Sequence, residues 1–157
     1  MRHYPVFLDL DGRQVLVVGA GKVAWRKTQG LLEAGARVTV VAPERLPEFE
    51  QLPVRLVRRR FRVSDLAGAV LVFAATDDRR ANHRIGAAAR QRGILANIAD
   101  AAGECDFVVP ARVRRGDVHI AISTGGRSPR VSAELRRALD EILPPAPTGA
   151  RPKRDGR

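Results

Sequence analysis

The stretch from Arg13 to Ala42, RQVLVVGAGKVAWRKTQGLLEAGARVTVVA, leaves this chain few alternatives. An apolar run, Val15–Val18, stops at Gly19-Ala20-Gly21. A helical pattern follows through Ala34, Gly35 ends it, and a second apolar run fills Val38 to Ala42. Strand, tight turn, helix and strand in immediate succession point to an α/β fold built on a parallel sheet. The turn spells GAGKVA, the G-x-G-x-x-A form of the dinucleotide fingerprint. Each small residue has a physical reason. Gly19 permits a turn that a side chain would block, Gly21 lets the backbone come close to a pyrophosphate, and Ala24 keeps the helix near the strand. The new helix begins with unpaired N–H groups and the positive end of its dipole, which favour an anion.

One part of the fingerprint is missing. An acidic residue usually ends the second strand and holds the adenosine ribose, but Ala42-Pro43 stands there, with Glu44 and Arg45 just beyond. This site alone therefore leaves NAD and NADP open.

The 157 residues suit one domain, expected over 1–143, followed by a basic, proline-rich tail over 144–157 that reads as disordered. No long apolar span and no leader pattern are visible, so a cytoplasmic protein without membrane contact is expected. Cys105 is the single cysteine, which excludes an internal disulfide. The net charge of +11 is either a solvated basic surface or the complement of a polyanion. Nucleic acid is not the expected partner, because no aromatic-interleaved basic motif or zinc pattern accompanies the charge. The histidines show no ligand spacing, and no metal site is assigned.

Further along, Tyr4 to Leu10 reads as a lead-in strand, and Val54 to Phe61 as a third strand with an arginine-rich face. Lys22, Arg26 and Lys27 crowd the first turns of the first helix, either as a solvated face or awaiting an anion. Val70 to Ala75 is a buried strand that delivers Thr76 and Asp77 to its carboxyl end, with Asp77 or Asp78 free to cap the helix beginning near Arg79. Ile94 to Ala99 is a fifth strand, delivering Asn97 and Asp100, and Asp100 is the candidate general base. Phe107–Val113 and Val118–Ser123 flank Arg-Arg-Gly-Asp as a hairpin. Thr124-Gly125-Gly126-Arg127-Ser128-Pro129 then starts a helix, with Ser128 as its N-cap and the glycine amides and Arg127 as a second anion site. The fold class is a Rossmann-like doubly wound parallel sheet with a C-terminal β-hairpin and helix.

The segments YPVFLDLDGRQVLVVGAGKVAWRK, AATDD with Asn82, NIAD, CDFVVPA and HIAISTGGRSP, in this order, resemble the precorrin-2 dehydrogenase family, which includes the N-terminal module of siroheme synthase. The resemblance runs from about Tyr4 to Leu143. It implies an NAD-dependent oxidation of precorrin-2 to sirohydrochlorin on the way to siroheme or cobalamin, with ferrochelatase activity in bifunctional members. It implies a homodimer and a polycarboxylated tetrapyrrole substrate, which would match the arginine excess. Carried over residue by residue, the cofactor contacts fall on Gly19, Gly21, Lys22, Val23, Pro43, Glu44 and Thr76. The dehydrogenation aspartate falls on Asp100. Gly125, Gly126, Arg127 and Ser128 are candidates to hold substrate carboxylates. Family members usually continue past the final helix, so dehydrogenase function alone is the safer expectation. The alternative is a non-catalytic NAD-binding or NAD-sensing module.

Overall fold

The computed structural model describes residues 3–99, 101–125 and 128–143. They form two compact units, one over Tyr4–Val108 and one of His3 with the described residues from Val109 onward. The first contains β1 (Gln14–Val18), α1 (Lys22–Glu33), β2 (Arg37–Val41), β3 (Arg55–Val57), β4 (Leu71–Ala74), α2 (Arg79–Arg90) and β5 (Leu95–Ile98). Its five strands are all parallel, in the order β3-β2-β1-β4-β5. The order reverses between β1 and β4, which is where open α/β sheets bind ligands.

Alternation along β1 explains the layering. Val15 and Val17 face one side, where they meet Val38, Val40 and Phe73 of the sheet and Ala24 and Leu31 of α1. Leu16 and Val18 face the other, with Val72, Ala74 and Ile98 and with Ile85 and Ala89 of α2. Successive strand residues point to opposite faces, so a continuous apolar run is what a strand covered by a helix on each side requires. Both helices end as their glycines demand. Gly35 and Gly93 sit at φ 77° and 67°, and the amides that follow them return to Leu31 and Ala89.

The second unit holds β6 (Ala111–Arg115), β7 (Val118–Ile122) and α3 (Pro129–Ile142). β6 and β7 pair antiparallel across Gly116-Asp117, so the expected hairpin is present. Ser128 caps α3, its Oγ accepting from the Val131 amide. Among the described residues of this unit only Val113 is a buried apolar residue, while Val131, Leu135 and Ile142 of α3 stay exposed.

Several expectations need correcting. Residues 4–10 form no strand, and Tyr4, Val6, Phe7 and Leu8 are exposed; only Leu10 packs against the core. β3 is three residues long, because the sequence leaves it at once for the arginine-rich segment. The first hairpin strand begins at Ala111, not Phe107. Phe107 instead packs edge-on against Phe73, with ring centroids 5.4 Å apart. The expected tail, 144–157, lies outside the described residues.

A salt bridge fixes the turn after β3. Arg59 donates to both carboxylate oxygens of Asp65, at 2.6 and 2.8 Å, and the Arg62 amide donates to the same group. The Arg59 hydrogen bonds hold the Asp65 carboxyl below the ordinary carboxylate range, against the opposing pull of burial, with the Arg62 amide adding to the lowering. A carboxyl depressed by folding stabilises fully above its unfolded pKa and loses that contribution as pH falls through the folded one. Asp65→Asn should therefore lower the urea midpoint at neutral pH. Its deficit against wild type should narrow as the pH is taken below about 4, a trend that parallel denaturation curves would read.

Candidate dinucleotide site

β1 ends at Val18 and the chain turns at once. Gly19 adopts φ 104°, a conformation that L side chains rarely enter. A Cβ at this position would lie 2.3 Å from the carbonyl oxygen of Ala75 and 2.6 Å from its carbon, both backbone atoms at the end of β4. The Gly19 amide donates to the Val41 carbonyl at 2.9 Å, tying the turn to β2 as well. Gly21 differs in kind. Its backbone is extended, and a Cβ there would meet no atom of the described residues within 4 Å. Internal packing does not require glycine at 21; the space before it is open.

Gly21 is the N-cap of α1, where no side chain supplies a capping hydrogen bond and no acid sits in the first turn. The first helical bond runs from the Trp25 amide to the Gly21 carbonyl. The amides of the first turn and the positive dipole end are thus left for an anion. Lys22 and Val23 are exposed on this turn, while Ala24 is fully buried against the sheet.

The exit of β2 is stitched to the same turn. The Leu46 amide donates to the Ala20 carbonyl at 3.1 Å, and the Ala42 amide to the Val57 carbonyl at 3.1 Å. Pro43 and Glu44 are exposed, but Arg45 folds inward. It lines a narrow hollow with Ala20, Ala42, Leu56, Val57 and Arg58. The Arg45 Nε is buried without a hydrogen-bond partner among the described residues, a costly state for a charged donor unless something else accepts from it. The guanidiniums of Arg45 and Arg58 both reach Oε1 of Glu50, Arg58 at 2.9 Å.

β4 delivers Thr76 to the same edge. Asn82 of α2, itself buried, grips it: Asn82 Oδ1 accepts from the Thr76 amide at 3.1 Å and from its hydroxyl at 2.7 Å, and Asn82 Nδ2 donates to the Thr76 carbonyl at 2.9 Å. Asp78, not Asp77, caps α2 by accepting from the amides of Arg80 and Ala81. Those amides, that of Ala81 first, hold the Asp78 carboxyl below its ordinary range.

Two residues depart from their expected positions. Lys27 does not wait for an anion at the end of α1; its Nζ donates to Asn97 Oδ1 at 2.8 Å and lies 5.1 Å from the centroid of the Phe73 ring. Asn97 is buried and also donates to the Phe107 carbonyl at 2.9 Å. It therefore bridges α1 to the segment after β5. Asp100, Gly126 and Arg127 lie outside the described residues. Gly125 and Ser128 belong to the second unit. The Gly125 amide is taken by Ser123 Oγ at 3.2 Å, so it is not the open donor expected.

The roles of Asn82 and Glu50 were not assigned from sequence. Asn82 stands six residues after Thr76 in the AATDD segment, a spacing that placed it on α2 without revealing its inward side chain. Glu50 had no local signal, because its partners come from two separate strand ends.

An open approach at Gly21 and an uncapped helix start suit a phosphate-bearing ligand. The fold and this turn define a Rossmann-like nucleotide-binding domain. A family model described as "Putative NAD(P)-binding" matches residues 6–111, and one described as "Sirohaem biosynthesis protein central" matches residues 115–141. The chain is 41% identical over 146 residues to "Siroheme synthase 2" of Aeromonas hydrophila, covering 92% of this chain and 31% of that protein. It is 45% identical over 151 residues to "Siroheme synthase" of Ectopseudomonas mendocina, covering 95% and 32%. The chain thus spans about a third of the length of the curated relatives it matches. Among solved structures, "SirC, precorrin-2 dehydrogenase" superposes with a TM-score of 0.78 at 33% identity, covering 90% of this chain and 72% of that one. The chain belongs to the family of precorrin-2 dehydrogenases and siroheme synthase N-terminal modules, and it carries an NAD(P)-binding domain.

The two glycines give opposite expectations. Gly19→Ala should cost about 2 kcal/mol or more of stability, from strained backbone and overpacking against Ala75. Gly21→Ala should cost under about 1 kcal/mol yet weaken NADH binding at least as much as Gly19→Ala does. Thermal unfolding and fluorescence titration of the two variants would check the contrast.

Proposed function

We propose that this chain is an NAD-dependent dehydrogenase that oxidises precorrin-2 to sirohydrochlorin. The observation that carries the reading is the glycine turn, whose open helix start lies at the point where the sheet order reverses. Family membership and the likeness to a precorrin-2 dehydrogenase supply the substrate. On this reading Gly19, Gly21, Lys22 and Val23 hold the pyrophosphate end of NAD. Pro43 and Glu44 border its adenosine half, and Thr76, gripped by Asn82, borders the cofactor from β4. When bound, the nicotinamide accepts the hydride that the macrocycle gives up.

Dehydrogenation also releases a proton. Asp100, two positions past the end of β5 in sequence, takes it directly or through water. Gly126 and Arg127 hold carboxylates of the tetrapyrrole, while the amide of Gly125 and the hydroxyl of Ser128 are engaged within their own unit. The exposed Arg80 and Arg84 on the first turns of α2 add to a positive field at the strand ends, while Arg79 and His83 are engaged by Glu104. A second copy of the chain covers the exposed apolar stripe of α3, giving a homodimer; the thin core of the second unit supports that.

Purified protein given precorrin-2 and NAD⁺ should produce NADH absorbance. Asp100→Asn should lower kcat by about 10²- to 10⁴-fold while leaving NADH affinity unchanged. Tight nucleotide binding without turnover would instead mark a binding module, and undiminished turnover by Asp100→Asn would remove the base assignment.

A further inference from the structure

We propose that Glu50 sets the cofactor preference of this chain, standing in for the acid that the end of β2 lacks. The inference rests on the dinucleotide reading of the glycine turn and goes beyond it. A ribose discriminator in this fold usually sits on the last residue of the second strand. Here the strand ends at Val41 and is followed by Ala42, both buried and neither carrying a side chain that can hydrogen-bond a hydroxyl.

The charge at this corner comes from further along the chain. Arg45 leaves the β2 exit and Arg58 follows β3, and their guanidiniums converge on one oxygen of Glu50. Left alone, two guanidiniums beside the ribose end would favour a 2′-phosphate, since arginine recognises phosphate through charge-assisted hydrogen bonds. Glu50 occupies both. A 2′-phosphate must displace this carboxylate or approach it, whereas a 2′-hydroxyl carries no charge and meets no such repulsion.

The corner is held in place. Glu50 follows Phe49, which is fully buried and packs edge-on against Trp25 of α1, with centroids 5.2 Å apart. Arg45 precedes Leu46, whose amide is bonded to Ala20 in the glycine turn. The turn, the arginine and the acid are therefore parts of one fixed frame.

Glu50 is half-exposed and Arg58 more so. Replacing the carboxylate by its amide therefore alters charge with little change of packing. Binding of NADH and NADPH to the wild type, Glu50→Gln and Glu50→Gln/Arg58→Gln proteins tests the proposal, read by nucleotide fluorescence and by the shift in melting temperature. The wild type should bind NADH more tightly than NADPH. Glu50→Gln should move the ratio of the two dissociation constants about tenfold or more toward NADPH, the scale of one charge-assisted hydrogen bond. Adding Arg58→Gln should reverse much of that movement. An unchanged ratio in Glu50→Gln, or a wild type that already prefers NADPH, overturns the assignment. NADH binding and the predicted shift without precorrin-2 turnover would sink the dehydrogenase reading and leave Glu50 its role. Failure to bind either nucleotide would overturn both.

Discussion

The structure depends on one close approach. At the end of β1 the chain passes under the Ala75 carbonyl so tightly that no side chain fits, and it does so with a backbone turned into the left-handed half of conformational space. That passage lets α1 start immediately after β1 and run back over one face, while β4 leads on to α2 on the other. The order of the sheet reverses at the same place. An unsatisfied helix start, two strand ends and the crevice between them are thereby brought to one corner.

Much of this was legible in the sequence, because the signals were local. The apolar runs of β1, β2, β4 and β5 are continuous, their helices are stopped by Gly35 and Gly93, and the turn is spelled out by its glycines. Asp78 and Ser128 sit at helix starts and behave as caps. What local pattern could not settle was competition for side chains across the fold. Lys27 sits where a cation would be read as waiting for an anion, yet Asn97, seventy residues away in sequence, accepts a hydrogen bond from its ammonium, which lies over the Phe73 ring. Tyr4 to Leu10 alternates like a strand, but no described sheet edge pairs with it. The arginines after β3 read as a charge run, and only the tertiary structure shows Arg59 clamped on Asp65 and Arg58 on Glu50.

The two glycines of the turn illustrate why one motif carries two kinds of information. Gly19 is demanded by the protein's own backbone, and any chain with this geometry would need it whether or not it bound a ligand. Gly21 is demanded by none of the described residues around it. A residue kept small beside open space, at an uncapped helix start, is the mark of a surface shaped for something else. The exposed helix of the second unit raises a parallel question about protein contacts, since its apolar stripe has so little of its own unit to cover it.

The central claim is that a dinucleotide settles on the amides that follow β1. Titrating NAD⁺ into isotopically labelled protein while following backbone amide resonances tests it most directly. The account predicts saturable shifts concentrated at residues 19–24, with smaller ones at the ends of β2 and β4. Amides at 19–24 that stay unmoved at saturating nucleotide, or shifts confined to another face of the sheet, would contradict it.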